Sequence, residues 1–391
     1  MPAREELAGL VETITPTIVA LRHQLHTIPE QAYREFATTE LVREALEPEG
    51  LGFQDRQPLT GGWVDVGIDP KVGFRADLDA LPILEPADNS PRSINDGWMH
   101  ACGHDAHTAI AVGIAMTLHR LQPAAGFRFI FQPGEEANPG GAIELVAEGV
   151  VDGLEALVAF HVDPTLRVGR IGMRSGPITG SADALTVTLH GPGGHTSRPH
   201  RTVDLVDAAA RVVTELPGGL RRAIDARTPL VTAFGAIHGG GAANVIPTEV
   251  VVKGTVRTLD PELWDVLPGL IDKSLGVILA LTGAGYTIDY RQGIPPVVND
   301  PGIVTAARNA IANELGPEVV ADTEQSMGGE DFSNYLSVTP GALLRLGSAS
   351  GGGDLHSAGF EFNDEAIAFG IRAGASSLLA LAGDLGRPVS V

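Results

Sequence analysis

Short apolar runs alternate with helical patterns through the first part of this chain, and that alternation limits the fold more than any other feature. Lys71–Arg75, Phe127–Phe131 and Ala156–Phe160 read as strands, and Ala106–Leu121 and Gly141–Gly149 read as the helices between them. Alternation of this kind favours an α/β domain with a mainly parallel sheet. Ala106–Leu121 carries apolar residues on most faces, so it is expected to be buried. Ahead of these elements, Val11–Leu25 and Thr38–Leu46 show helical spacing, and Pro29 ends the first run.

The rhythm changes near Ser181. Ala184–Leu189 alternates apolar and polar residues, a helix pattern runs from Val203 to Leu216, and two strand patterns follow at Leu230–Ile237 and Val250–Thr258. A helix over Glu262–Leu281 and a strand over Tyr286–Tyr290 complete the order β-α-β-β-α-β, that of a ferredoxin-like module. After Pro295-Pro296 the first rhythm returns, with a helix at Ile303–Leu315, a strand at Ala342–Leu346 and a last helix from Asn363 to Leu381. The expected layout is a catalytic domain in two parts, 1–180 and 292–391, with a smaller domain, 181–291, inserted between them.

Composition narrows the function. The 391 residues carry 27 basic and 48 acidic side chains, a net charge of −21, which argues against nucleic acid and anionic membranes as partners. No run of about 18 apolar residues stands out, so no membrane span is expected. The N-terminal residues are polar, without the apolar core of a signal peptide, and a single cysteine excludes an internal disulfide. The expectation is a cytoplasmic protein.

That cysteine, Cys102, lies in Met99-His-Ala-Cys-Gly-His-Asp-Ala-His-Thr108, where three histidines surround it. It is either a small buried hydrophobe or a chosen ligand, and thiolate with imidazole suits a borderline-soft metal such as zinc. Other polar clusters stand at or just after strand ends, where open parallel sheets gather their sites: Arg75-Ala-Asp77-Leu-Asp79, Gln132-Pro-Gly-Glu135-Glu136, His161 and Leu355-His356-Ser357. Two adjacent glutamates repel each other unless a cation lies between them. One can then ligate while the other serves as general base. A solvated helix N-terminus is the plainer reading of the same pair.

These stretches, together with Gly193-Gly-His-Thr-Ser-Arg-Pro-His200, Ala243-Asn-Val-Ile-Pro247 and Met327-Gly-Gly-Glu-Asp-Phe332, resemble a known family. It comprises the dinuclear metal amidohydrolases that include aminoacylases, carboxypeptidase G and auxin-conjugate hydrolases. The likeness is strongest to its branch of bacterial N-acyl-amino-acid amidohydrolases and hippurate hydrolases. The resemblance implies that Cys102, His104, Glu136, His161 and His356 hold two divalent metal ions, with zinc favoured and manganese, cobalt or nickel as alternatives. It implies that Glu135 is the general base toward a metal-activated water, and that His195 stabilises the oxyanion in the neighbouring subunit of a homodimer. Asn244 matches a position near the substrate, and Asp77 and Asp79 match residues that orient the ligands. Glu330 lies near the site in relatives. Arg257 is either a partner for a substrate carboxylate or an ordinary surface arginine. The implied reaction is hydrolysis of an N-acyl amino acid to a carboxylic acid and an amino acid. The alternatives are a metallo-carboxypeptidase or dipeptidase, and a non-catalytic metal-binding protein.

Overall fold

The computed structural model describes residues 4–385, which form two compact units. Of the described residues, the first comprises 4–178, 298–324 and 331–385, and the second Thr179–Val297 and Gln325–Glu330. The sequence places residues 325–330 in the segment 292–391; in the structure they group with the second unit. Arg257 explains part of this, because its guanidinium donates to the Met327 carbonyl at 2.8 Å.

Chain order in the first unit begins with α1 (Arg4–Thr27), α2 (Phe36–Leu46), β1 (Phe53–Asp55), β2 (Gly62–Val66), β3 (Pro70–Asp77), α3 (His104–Leu121), β4 (Gly126–Gln132), α4 (Ala142–Ala147), β5 (Ala156–Asp163), β6 (Ile171–Met173) and β7 (Gly176–Thr179). The second unit is built on β8 (Ala182–His190), β9 (Gly194–His195), α5 (Leu205–Ala223), β10 (Leu230–His238), β11 (Val245–Ile246), β12 (Glu249–Thr258), α6 (Pro261–Leu279) and β13 (Gly285–Ile294). Then come β14 (Val297–Asn299), α7 (Pro301–Leu315), β15 (Val320–Asp322), α8 (Ser333–Leu336), β16 (Gly341–Gly347) and α9 (Glu365–Leu385).

The large sheet has the order β1-β2-β4-β3-β5-β16-β6-β15. Its centre is parallel, β3 pairing with β4 and β5 and β16 with β5, while β1 and β2 add an antiparallel edge. Central strands covered on both faces read as unbroken apolar runs, as Ala156–Val162 does, every residue of it buried. The core sits between this sheet and its helices. All but the last three residues of α3 are buried, and α9 closes on it so tightly that a β-carbon at Gly374 would come within 2.3 Å of the Ile114 side chain. By length and composition Glu365–Gly383 would suffice to cross a membrane, which the sequence reading overlooked; 61% of that window is packed inside the protein instead, against α1, α3 and α7.

In the second unit the sheet order is β10-β12-β8-β13, antiparallel throughout, and α5 and α6 pack on it. This is the ferredoxin-like arrangement. The helix α5 runs on through Pro217, where a stop was expected. Leu216 and Leu220 continue the buried stripe of Leu205, Ala208, Ala209 and Val212. Burial of Leu220, worth roughly 1.5–3 kcal/mol, offsets most of the cost of the proline.

Candidate metal centre

The carboxyl ends of β3, β4, β5 and β16 lie side by side, so the loops after them meet at one edge of the sheet. Cys102 and His104 stand at the start of α3. Between them Gly103 takes φ +79°, and a β-carbon there would come within 2.6 Å of Val162. Only glycine meets both demands at low cost, and the turn it makes brings the thiol and the imidazole to the same spot. The Cys102 Sγ lies 3.5 Å from His161 Nε2 and 3.3 Å from His356 Nε2. His356 Nε2 in turn lies 3.2 Å from Glu136 Oε1. Cys102, His104 and Glu136 place their ligand atoms within 4.8 Å of one another. The five residues thus come together from four separate stretches of chain.

Neighbouring groups fix the protons. Nδ1 of His104 donates to the Asp79 carbonyl at 2.9 Å, and Nδ1 of His161 donates to the Val162 carbonyl at 2.8 Å. In the neutral form of either ring the lone pair is therefore on Nε2, as in a metal-ligating histidine. Burial, Arg345 and His107 hold His161 well below the usual imidazole range, so it stays neutral. Burial opposes charge on His104 too, but Asp77, Asp79 and Cys102 outweigh it and raise that group well above its usual value. Hydrogen bonds to Cys102 and Glu136 push His356 up to about 10. The pocket is rich in negative charge and selects for cations.

Asp79 organises the two glutamates. One carboxylate oxygen accepts from the Glu135 backbone N–H at 3.0 Å and the other from that of Glu136 at 2.9 Å. The side chains then diverge. Glu136 Oε1 reaches His356, whereas Glu135 Oε2 lies 3.9 Å from His104 Nε2 and its residue is 8% exposed. Asp77 accepts from Arg75 Nη1 and from His107 Nδ1, both at 2.7 Å, and His107 Nε2 accepts the Val162 N–H. Burial opposes ionisation of Asp77, yet His104, His107 and Arg75 hold it well below the usual carboxylate range.

Do these residues suit metal ions? Two buried atoms answer. His104 Nε2 makes no hydrogen bond, and Glu136 Oε1 has only its ion pair with His356 Nε2 at 3.2 Å, although each is shielded from water. Such groups are costly unless something fills the gap between them. A thiolate, imidazole lone pairs and a carboxylate converging without donors of their own are the donor set of a borderline divalent cation. The residues fit.

The remaining expected site residues lie in the second unit. His195 is exposed on β9, opposite Val245 of β11. Its Nδ1 accepts the Ser197 N–H at 3.1 Å, which leaves the proton on Nε2. The exposed Asn244 adjoins that ladder, its carbonyl accepting the Thr196 N–H at 3.2 Å. Glu330 is buried in the segment that Arg257 supports. Neither His107 nor His26 is among the site residues expected from the sequence. In the structure His26 bonds Asp105, the neighbour of His104, at 2.8 Å.

The model of peptidase family M20/M25/M40 matches residues 73–380. The chain belongs to that family. It is 37% identical over 301 residues to the N-acyl-L-amino acid amidohydrolase of Geobacillus stearothermophilus, covering 76% of this chain and 81% of that one. It is 42% identical over 360 residues to a Rhodococcus jostii RHA1 protein named as a glutamate–cysteine ligase; the match covers 91% of this chain but 45% of that protein's length. A crystal structure of the Bacillus subtilis YXEP protein, described as a dinuclear metal-binding peptidase of the M20 family, superposes with a TM-score of 0.84 at 32% identity, covering 95% of this chain and 99% of that one. Family membership and the ligand cluster make this M20 protein a metal-dependent hydrolase of the amidohydrolase and peptidase superfamily.

Proposed function

We propose that the protein hydrolyses the amide bond of N-acyl amino acids, with Cys102, His104, Glu136, His161 and His356 holding two divalent metal ions and Glu135 acting as general base. The observation that carries this reading is the divergence of Glu135 and Glu136 from a backbone held by one carboxylate, Asp79. Glu136 joins the ligand cluster, while Glu135 stands beside it, its Oε2 3.9 Å from His104 Nε2. A metal store has no use for that second carboxylate. The likeness to an N-acyl-L-amino acid amidohydrolase supports this choice.

When bound, the cations would polarise the scissile carbonyl and acidify a water. The chain does the rest. Glu135 takes the proton of the attacking water and returns it to the departing amine nitrogen. Asp79 fixes where that proton is collected, and Asp77 with His107 keeps the β3 end and the start of α3 in place. His195, with its proton on Nε2, is suited to donate to the oxyanion. We assign it that role in a neighbouring subunit of a homodimer, with Asn244 beside it binding the substrate. Arg257 we assign to backbone support. The thiolate and imidazoles favour zinc over harder ions.

The test is release of free amine from N-acetyl and N-benzoyl amino acids by metal-loaded protein. Release that stops with chelator and returns with zinc or manganese is expected. Metal-loaded protein that frees no amine from any of them would refute the proposal.

A further inference from the structure

Glu35 is fully buried in the connection between α1 and α2, far in sequence from the residues assigned above. Its Oε1 accepts two backbone protons at 2.8 Å, one from Tyr33 and one from Gly134. Its Oε2 accepts the Thr60 hydroxyl proton at 2.6 Å. Gly134 precedes Glu135, so three successive amides are held by two carboxylates: that of Gly134 by Glu35, and those of Glu135 and Glu136 by Asp79.

Tyr33 completes the arrangement. It adopts φ +62°, a left-handed conformation that costs a residue with a side chain of order 1 kcal/mol or more and persists only where the surroundings enforce it. Its hydroxyl donates to the Pro139 carbonyl at 3.0 Å, beyond the glutamates. Its ring lies against Gly134, where a β-carbon would come within 2.8 Å of the ring. Gly134 itself takes φ +65°, so position 134 requires glycine both for conformation and for space. The Gly134 carbonyl accepts the Gly141 N–H at 3.1 Å and closes the loop on itself.

A connection between two helices needs no buried carboxylate. Burial makes the charge of Glu35 expensive, the Thr60 hydrogen bond offsets part of that cost, and repulsion from Asp79 adds to it. An arrangement kept at such a cost points to a task. We infer that Glu35, with Tyr33 seated over Gly134, is a positioning residue for the hydrolysis, setting the backbone from which Glu135 and Glu136 diverge. This rests on the assignment of Glu135 as base and Glu136 as ligand.

The test compares Glu35→Ala, Glu35→Gln, Tyr33→Gly and Glu135→Gln in metal-loaded protein. At saturating metal, Glu35→Ala is expected to lower kcat about 100-fold with little change in KM, as expected when a reacting group is misplaced from a distance. Glu35→Gln keeps an oxygen for both amides and is expected to restore most of the rate. In metal titrations of apoprotein, Glu35→Ala should weaken at least one equivalent about tenfold relative to Glu35→Gln, the effect of losing a ligand's support. If Glu35→Ala does not fold, Tyr33→Gly substitutes for it: glycine tolerates this backbone, so a lower kcat at an unchanged thermal midpoint is expected.

A kcat for Glu35→Ala within about threefold of wild type, well short of the loss expected from misplacement, would overturn the inference. So would equal damage in the alanine and glutamine variants accompanied by equal loss of thermal stability, or an unaltered kcat in Tyr33→Gly. Full activity in Glu135→Gln would instead overturn the assignment of the base. The metal titration would then decide the role of Glu35, and unchanged metal affinity in Glu35→Ala would refute it.

Discussion

Arg75 and Asp331 meet at 2.7 Å in an ion pair that no water reaches, although 256 residues separate them in the chain. The same carboxylate accepts from the Gln132 side chain and the Ala142 backbone N–H, so it ties the ends of β3 and β4 to the start of α4. Removing Asp331 takes away one of the two carboxylates that Arg75 pairs with and the acceptor of the Gln132 amide and the Ala142 N–H, at a cost of about 1–3 kcal/mol for each buried donor that loses its acceptor. Asp331→Ala should therefore lower the denaturation midpoint sharply in chemical unfolding. A midpoint close to wild type would show that the pair is dispensable.

Cys102→Ser exchanges a thiolate for a weaker ligand of similar size. The variant is expected to keep its circular dichroism spectrum and to lose metal on dialysis, with affinity down at least tenfold, about what perturbing a metal site costs. Elemental analysis reads this directly. Full occupancy after dialysis would remove Cys102 from the ligand set.

If His195 serves the site of a neighbouring subunit, two inactive variants can rescue each other. His195→Ala and Glu135→Gln, mixed under conditions that allow subunit exchange, should regain up to about a quarter of wild-type activity through hybrid dimers that contain one intact site. Assay of the mixture after demonstrated exchange provides the check. Activity no higher than that of either variant alone would mean that each subunit works by itself.

His26 gives the fold a pH dependence that can be calculated in sign. Burial disfavours its charge, but the hydrogen bonds that its ring donates to Asp105 and Glu85, against opposition from Arg22, raise it to about 9. A histidine raised in the folded state stabilises fully below its unfolded value of about 6.5, and that contribution disappears as pH rises to about 9. The magnitude is on the order of 3 kcal/mol. Thermal midpoints of wild type and His26→Gln should therefore differ most near pH 6 and converge toward pH 9.5. A constant gap across that range would contradict the assignment.

Most of the architecture was legible because periodicity reports burial. Runs such as Ala156–Phe160 mark strands covered on both faces, and the alternation in β8 marks a half-covered sheet. The ligand cluster was legible because ligand-type side chains fall where parallel strands end. The missing parts share a physical cause. The short edge strands β1 and β15 carry too few residues for a period. Pairings such as Glu35 with Gly134, His26 with Asp105 and Arg75 with Asp331 join distant positions through one side chain each. A lone glutamate in a loop looks solvated until the fold buries it. The helix α5 runs past the expected end at Leu216 because the burial of Leu220 outweighs the poor local propensity of Pro217.

The five ligand-type residues do not stand on equally firm ground. Cys102 and His104 open a helix shielded almost all round, whose amides should exchange with deuterium only when the whole unit opens. His356 sits on a left-handed backbone with 53% of its side chain in solvent. An incoming or departing ion therefore has a door and a wall: we expect His356 to let go first and the α3 pair last, which would make the lifetime of the loaded state a property of that one loop.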